Sequence, residues 1–336
     1  MKEALFYQKL DAQKVRCQLC PHYCTIADGQ RGLCGVRENH SGTLDSLVYG
    51  KVVAESLDPI EKKPLFHFLP GTAAYSISTV GCNFHCEFCQ NYGISQSARE
   101  TGEIGGQDRA SEQVVGAALE GRCRSIAYTY TEPTIYFEYA YDTAKLARGR
   151  GLKNVFVSNG YMNPPAAEMV APYLDANNID LKAFCDSTYR VVCGGRLAPV
   201  LETLKLMKKL GVWLEVTTLV IPGLNDSREE LTDIARFIRD ELSADTPWHV
   251  SGFYPTYKML DRPPTPAESL IKAREIGLSE GLNYVYSGNL PIPGAENTYC
   301  PQCHQLAIER SRYIVLRNLL QDGRCPCGEK IAGVWA

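Results

Sequence analysis

The stretch that decides the fold is Gly81-Cys82-Asn83-Phe84-His85-Cys86-Glu87-Phe88-Cys89-Gln90. It carries three cysteines at the spacing C-x3-C-x2-C, directly after a run from Ala74 to Val80 that alternates small polar and apolar residues. Such alternation predicts a β-strand. We therefore expect the cysteines on a tight loop at the carboxyl end of a strand, where barrels and open α/β sheets bind ligands.

Three neighbouring thiolates can bind three corners of a 4Fe–4S cube, which otherwise takes four cysteines. The fourth iron would be open to the amine and carboxylate of an amino acid, and S-adenosylmethionine (SAM) carries both groups. An electron from the cluster could then split the sulfonium and release a carbon radical. The alternatives are a zinc site that recruits His85 as fourth ligand, and disulfides, which we do not expect in a chain without an export signal.

Length and composition limit the possible functions. The chain has 336 residues, of which 45% are apolar, and a net charge of −3. This length suffices for one barrel-sized domain with small additions. The charge gives no general attraction to nucleic acid or to an anionic membrane. Because the sequence has no apolar run of membrane-spanning length and does not open like a signal peptide, we expect a cytoplasmic protein.

A second cysteine group lies near the start of the chain. It consists of Cys17, Cys20, Cys24 and Cys34, at the spacing C-x2-C-x3-C-x9-C. Four cysteines in eighteen residues are too dense for ordinary core positions, and the glycines at 29, 32 and 35 allow the sharp turns of a metal-binding knuckle. The spacing leaves open whether the metal is zinc or a second iron–sulfur cluster.

A third group lies near the end of the chain and consists of Cys300, Cys303, Cys325 and Cys327. Two cysteine turns around a short β segment resemble a zinc ribbon, although the second turn is C-x-C instead of the usual C-x2-C. We predict a four-cysteine structural zinc site, for which His304 is a substitute ligand if the geometry of the C-x-C turn fails.

Between these groups the chain alternates predicted strands and helices. We predict strands at 74–80, 125–129, 154–158, 178–181, 213–221 and 248–253, with helices at 111–120, 134–148, 164–173, 197–210, 227–242 and 267–280. This order predicts an α/β fold, a partial (β/α)6 TIM-like barrel with right-handed crossovers. We divide the chain into an N-terminal four-cysteine knuckle with a β linker (1–72), the barrel (73–295) and a C-terminal zinc-ribbon-like knuckle (296–336). Residues 1–16 are predicted to begin the chain as a short helix.

Polar residues follow nearly every predicted strand, which indicates one shared cleft. We expect Thr131 and Glu132 to hold the methionine amine of SAM, and Ser158 and Asn159 to bond its ribose hydroxyls. Two further residues, Asp180 and Lys182, could flank the carboxylate of SAM or a bound cation, or form a structural ion pair at the barrel rim.

Two other features have an ordinary and a functional interpretation. The ordinary interpretation of Glu61, Lys62 and Lys63 is a solvated charge run, and the functional one is that they line the cleft. Cys193 is by default a small buried hydrophobe, and it is also a weak candidate for a hydrogen-atom donor to a radical.

The chain resembles the radical SAM enzymes of the AmmeMemoRadiSam group, which are themselves similar to pyruvate formate-lyase activating enzymes. The cysteine spacing at 82–89, with Phe88 before the last cysteine, is shared by the whole superfamily. The narrower resemblance rests on four further features: the Cys17–Cys34 segment with Gly32-Leu33-Cys34-Gly35-Val36-Arg37, the run Asp58-Pro59-Ile60-Glu61-Lys62-Lys63-Pro64-Leu65, the segment Tyr130-Thr131-Glu132-Pro133, and the cysteine-bearing tail.

This resemblance implies a partial barrel of the radical SAM type, a 4Fe–4S cluster at Cys82, Cys86 and Cys89, and reductive cleavage of SAM to methionine and a 5′-deoxyadenosyl radical. It implies a reductant such as ferredoxin or flavodoxin and suggests AMMECR- and Memo-type protein partners. The chain departs from the activating enzymes at Val157, where they carry an acid, and at Tyr254, where they carry a histidine.

The leading hypothesis is therefore a radical SAM oxidoreductase that abstracts a hydrogen atom from an unidentified substrate. A glycyl-radical-enzyme activase, with a protein substrate, is the first alternative. A non-catalytic zinc-binding adaptor is the second and would bind no SAM. RNA modification is the third, and the acidic balance and the lack of a basic stripe argue against it.

Overall fold

The centre of the molecule is one large mixed sheet. In the computed structural model, which describes residues 1–335, eight strands form it in the order β16-β15-β14-β13-β12-β11-β9-β8. Seven of these strands are parallel, and β8 pairs with β9 in the antiparallel direction. The predicted α/β fold and the partial barrel are confirmed. The barrel strands are β8 (Ala54–Pro59), β9 (Ala73–Ser78), β11 (Ser125–Tyr128), β12 (Lys153–Ser158), β13 (Ala176–Asp180), β14 (Trp213–Val220), β15 (Trp248–Gly252) and β16 (Val285–Gly288).

Helices connect these strands and cover the outside of the sheet. The helix predicted at 111–120 is found with those bounds, and α8 begins after Ser227, whose side chain accepts from the N–H of Glu230 at 3.1 Å as an N-cap does. Two helices continue into short π-helical segments, at Tyr189–Cys193 and Ile238–Leu242. The helices are α1 (Tyr92–Ser95), α2 (Ser97–Glu100), α3 (Ser111–Glu120), α4 (Phe137–Gly149), α5 (Pro164–Val170), α6 (Asp186–Thr188), α7 (Leu197–Lys209), α8 (Arg228–Phe237) and α9 (Ala267–Ser279).

The N-terminal segment is built from short strands, so the helix predicted at 1–16 is wrong. Phe6, Ala12 and Gln13 have positive φ values of 55°, 53° and 56°, a conformation that an α-helix does not allow. They shape a hairpin instead. The strands before the barrel are β1 (Lys2–Glu3), β2 (Tyr7–Lys9), β3 (Val15–Cys17), β4 (Thr25–Ile26), β5 (Arg37–His40), β6 (Thr43–Ser46) and β7 (Lys51–Val52).

The chain after the barrel folds back onto it. The antiparallel strands after β16 are β17 (Thr298–Tyr299), β18 (Leu306–Ser311) and β19 (Ile314–Asn318). A separate short pair is formed by β10 (Gln107–Asp108) and β7. The ring of His67 joins the tail to the barrel, because Nδ1 lies 2.7 Å from the carbonyl oxygen of Ala332 and Nε2 lies 2.6 Å from the hydroxyl of Tyr286. Within residues 1–335, no helix has the length and apolar character needed to cross a bilayer.

Candidate active site

A cavity of about 920 Å³ opens at the carboxyl edge of the parallel strands. Its wall includes the three cysteines that follow β9 and residues at or just beyond the end of every other parallel strand. Examples are Glu132 after β11, Asp180 at the end of β13, and Ser251 and Ser287 near the ends of β15 and β16. Polar groups from separate strands meet here because parallel strands end at one edge of the sheet. The shared cleft that the sequence predicted is present.

The loop that carries the three cysteines is held from behind by the segment after α6. The N–H of His85 donates to the carbonyl of Cys193 at 2.9 Å, and the N–H of Glu87 donates to that of Val192 at 3.1 Å. The two segments are very close to each other. A Cβ added at Gly194 would lie 2.1 Å from the His85 ring, and one added at Gly195 would lie 2.3 Å from the Phe84 ring. Two adjacent glycines therefore let this segment pack against the cysteine loop.

Two of the three cysteine sulfurs have polar neighbours in the structure. Cys82 Sγ accepts from the N–H of Phe84 at 3.4 Å and from Asn159 Nδ2 at 3.8 Å, and Cys89 Sγ lies 3.2 Å from the hydroxyl of Ser95. Hydrogen bonds to cluster sulfurs are among the features that tune such centres. Within residues 1–335, these three sulfurs are not all within 4.8 Å of one another, which suits ligands on three separate irons better than ligands on one ion.

The residues predicted to bind SAM all lie on the cavity wall, but some already have protein partners. The Glu132 carboxylate is buried and accepts from Ser158 Oγ, from the N–H of Asn159 and from both the N–H and the hydroxyl of Thr134, at 2.6–3.0 Å. Burial raises its pKa, against the effect of these hydrogen bonds. Four donors use the acceptor sites of one carboxylate, so Glu132 holds Ser158 and Asn159 in place. Thr131 Oγ1 donates to the carbonyl of Thr79 at 3.0 Å.

Asp180 and Lys182 form an ion pair on the cavity wall, with Lys182 Nζ 2.8 Å from Asp180 Oδ2. Burial alone would lower the pKa of Lys182, but the Asp180 carboxylate raises it well above its ordinary value. The ion pair and the cavity position occur together, so the two interpretations of these residues do not exclude each other.

The charge run at 61–63 is not solvated as the ordinary interpretation had it. The side chains of Glu61 and Lys63 are buried, and all three residues line the cavity. Lys63 Nζ donates to Asp58 Oδ2 at 2.6 Å, and burial lowers its pKa to about 8 although Asp58 opposes this. The cleft-lining interpretation is confirmed.

Cys193 lies behind the cysteine loop, is fully buried and is absent from the described lining of the cavity. The neighbouring Cys193 thiol lowers the pKa of Cys86. The structure therefore places Cys193 next to a predicted cluster ligand and not on the surface that a substrate would contact.

Sequence reasoning missed several wall residues. His249 lies on β15 with its Nε2 2.7 Å from the buried carboxylate of Glu215, and period-2 alternation with Ser251 could have indicated it. Arg312 and Tyr313 reach the cavity from the C-terminal hairpin. Nothing in their local sequence predicts this, since it depends on how the tail folds back.

The four C-terminal cysteines come together as a metal site would require. Their sulfurs all lie within 4.8 Å of one another, with Cys300 and Cys327 3.7 Å apart and Cys303 and Cys325 3.6 Å apart. Both cysteines of the C-x-C turn take part, and His304 is outside the group. The N-terminal Cys17, Cys20, Cys24 and Cys34 line one small cavity of about 20 Å³, but within residues 1–335 their sulfurs do not form such a close group.

The family model for the radical SAM superfamily matches residues 76–238, which include the cysteine loop and most of the barrel. The chain belongs to this superfamily. Across 98% of its length it is 49% identical to the uncharacterized protein MJ0808 of Methanocaldococcus jannaschii, covering 99% of that protein. It is 22% identical to the pyruvate formate-lyase-activating enzyme of Clostridium pasteurianum, over 51% of this chain and 74% of that enzyme.

The fold comparison agrees with this assignment. The crystal structure of a radical SAM methyltransferase from Sphaerobacter thermophilus superposes with a TM-score of 0.53 at 17% identity, over 71% of each chain. At this identity the likeness concerns the fold alone. The membership in the narrower AmmeMemoRadiSam group stays a prediction from the sequence.

Proposed function

We propose that this protein is an enzyme that reductively cleaves SAM and uses the resulting 5′-deoxyadenosyl radical to abstract a hydrogen atom from a substrate. The carrying observation is that three cysteines on one braced loop face a 920 Å³ cavity with polar groups from every parallel strand. When bound at Cys82, Cys86 and Cys89, a 4Fe–4S cluster with one open iron would supply the electron for this cleavage.

The protein's own residues would bind and orient SAM. The negative charge of Glu132 favours a position of the methionine amine near Thr131. The hydrogen bonds of Glu132 fix Ser158 and Asn159 on the cavity wall. We place the ribose of SAM next to these two residues. Lys182 offers a cation for the SAM carboxylate, and Asp180 holds the lysine side chain in place. These assignments follow from position, charge and hydrogen-bonding capacity.

The enzyme needs a one-electron donor, for which we propose reduced flavodoxin or ferredoxin. Such donors and the fourteen unpaired cysteines both suit a reducing compartment, so we propose that the protein works in the cytoplasm. The sequence resemblance to the AmmeMemoRadiSam group adds AMMECR- and Memo-type proteins as proposed partners.

The substrate has room beside SAM. A cavity of 920 Å³ is at the upper end of the range for small-molecule sites. One specific alternative is activation of a glycyl-radical enzyme, supported by the similarity to an activating enzyme over half of the chain. A peptide loop of the partner would then enter the cavity. A glycyl-radical signal after incubation with candidate partners would support this alternative, and its absence with every candidate would count against it.

The test of the main proposal is product formation. Anaerobically reconstituted protein, reduced and supplied with SAM, should yield 5′-deoxyadenosine and methionine in equal amounts. Cys86→Ala should abolish both products, whereas Cys185→Ser, which changes an exposed cysteine outside the three groups, should leave them unchanged. If the wild type binds zinc at all three cysteine groups and releases no 5′-deoxyadenosine, it is a zinc adaptor and the proposal is wrong.

A further inference from the structure

The C-terminal cysteine group has the dimensions of a single-ion site. Two sulfur pairs lie 3.7 Å and 3.6 Å apart. A tetrahedral zinc ion with Zn–S bonds of about 2.3 Å holds its sulfurs about 3.8 Å apart. The sulfur spacing of this group therefore serves as a reference for a single-ion site in this chain.

The N-terminal group does not have those dimensions. Within residues 1–335, no three of the sulfurs of Cys17, Cys20, Cys24 and Cys34 lie mutually within 4.8 Å, yet all four residues line one cavity of about 20 Å³. A tetrahedral zinc ion holds all of its ligand sulfurs about 3.8 Å apart. The sulfurs of the N-terminal group are therefore spaced more widely than the ligands of a single zinc ion.

The N-terminal group instead resembles the cysteine loop of the same chain. A 4Fe–4S cluster takes one thiolate on each iron, so its ligand sulfurs stand farther apart than those around one ion. Cys82, Cys86 and Cys89 also fail to come within 4.8 Å of one another. We propose that Cys17, Cys20, Cys24 and Cys34 bind a second 4Fe–4S cluster, which is fully ligated by the protein and has no open iron.

The local fold keeps this space open. Cys17 is the last residue of β3, which pairs with both β2 and β4. Gly32 faces the interior, where an added Cβ would lie 3.6 Å from Cys24 Sγ and 3.2 Å from Ile26 Cδ1. Leu19, Ile26 and Ile135 are apolar residues of the wall, which also includes His22 and Asn83. A largely apolar wall with four thiols is a suitable environment for an iron–sulfur cluster, whose potential depends on solvent exposure.

The two cysteine groups are close neighbours. Asn83, the residue after Cys82, lines the N-terminal cavity, and its carbonyl lies 2.7 Å from Nε2 of His22. Arg99 bridges the groups directly, since Nε donates to the carbonyl of Leu33 at 2.8 Å and Nη2 donates to that of Cys82 at 3.2 Å. Two reduced clusters at these places would be close enough for their unpaired electrons to interact.

The test counts iron, sulfide and zinc in anaerobically reconstituted full-length protein. We expect about eight irons and eight sulfides per chain in the wild type, from two four-iron clusters, with about one zinc. The variant Cys82→Ala/Cys86→Ala/Cys89→Ala should keep about four irons and give the spectrum of a single reduced 4Fe–4S cluster. The fully reduced wild type should show a broadened signal from two interacting clusters. Cys185→Ser is the matched control and should behave as the wild type.

Other counts would overturn the proposal. A wild type with about four irons and two zincs would place zinc at the N-terminal group, and about four irons with one zinc would mean that the group holds no metal. If the triple variant does not fold, the wild-type counts and the variant Cys17→Ala/Cys20→Ala, which should lose about four irons, decide the question. A protein with eight irons that fails to cleave SAM would contradict the proposed function but not this second cluster.

Discussion

At the scale of single residues, a very close approach near the site occurs at Gly195, whose backbone lies against the Phe84 ring. A Cβ there would lie 2.3 Å from Phe84 Cε1, a separation that real side chains do not adopt. We expect Gly195→Ala to displace the cysteine loop and to lower the iron retained after reconstitution by about four atoms per chain. Iron analysis with thermal unfolding measures this. Gly116→Ala, where nothing lies within 4 Å, is the matched control, and equal iron contents in the two variants would contradict the argument.

A second residue, His67, should make the stability of the fold sensitive to acid. Burial lowers its pKa to about 4, although the Glu215 carboxylate opposes this, from an ordinary value of 6.5. Between these values the unfolded chain binds a proton that the folded chain does not, so the free energy of unfolding should fall as the pH is lowered from 6.5 to 4. The shift corresponds to about 3 kcal/mol.

Urea unfolding at several pH values between 4 and 7 measures this effect. The variant His67→Gln should unfold at lower urea concentration at pH 7, because it loses ring contacts, but its stability should depend less on pH. His40→Gln, which removes a largely exposed histidine, should leave the pH dependence as in the wild type. A His67→Gln variant that keeps the full dependence would show that another group causes it.

At the scale of elements, strand β8 pairs with β9 along its backbone and is further fixed by the carboxylate of Asp58. This carboxylate accepts from Lys62, Lys63 and Tyr130, at 2.8, 2.6 and 2.5 Å. Because the Lys63 side chain is only 2% exposed, Asp58→Asn would leave a buried ammonium without a counter-ion, which costs about 3–5 kcal/mol. We expect a loss of this size in the free energy of unfolding.

Two variants control for this loss. Lys62→Met, at a side chain that is 45% exposed, should cost less than about 1 kcal/mol. Asp58→Asn/Lys63→Met should recover part of the stability, because it removes the unpaired charge as well. If Asp58→Asn proves no more harmful than Lys62→Met, the carboxylate does not hold the strand.

The folded structure of the C-terminal hairpin should depend on a bound metal. Cys327 is exposed while Cys300 and Cys325 are buried, so Cys327→Ser removes one ligand with little disturbance of the core. We expect it to lose about one zinc per chain, to retain the wild-type iron content and to become sensitive to proteases between residues 300 and 327. A variant that keeps its zinc, as Cys185→Ser should, would show that this cysteine is not a ligand.

At the scale of the whole molecule, the parts that sequence predicts are those with a repeated local pattern. The barrel strands and the helix α3 follow from periodicity, and the cysteine loop follows from its place after β9. Strand β16 was not predicted, although β11, which is also four residues long, was. The strands of the N-terminal segment, two to four residues long, were mistaken in part for a helix because they are too short to show a period.

Long-range partners explain the other differences. Glu61 looks like part of a surface charge run because its partner Arg310 is far away in the sequence. The burial of Lys63 likewise depends on tertiary packing that the sequence does not show. Arg310 Nε lies 3.8 Å from Glu61 Oε1, although 249 positions separate them. The same limit applies to Arg312 and Tyr313, which reach the cavity only because the tail folds back. Sequence reasoning thus identified the three cysteine groups and the strand ends but not the parts of the cavity wall that tertiary packing completes.

The account depends most on one claim, that the cluster at Cys82, Cys86 and Cys89 keeps an iron open for SAM. The direct measurement is the electron paramagnetic resonance spectrum of the reduced protein with and without SAM. We expect SAM to shift the signal of one cluster in the wild type and in Cys185→Ser, and to shift nothing in Cys82→Ala/Cys86→Ala/Cys89→Ala. A wild-type spectrum that SAM leaves unchanged, or a shift that persists in the triple variant, would contradict the claim.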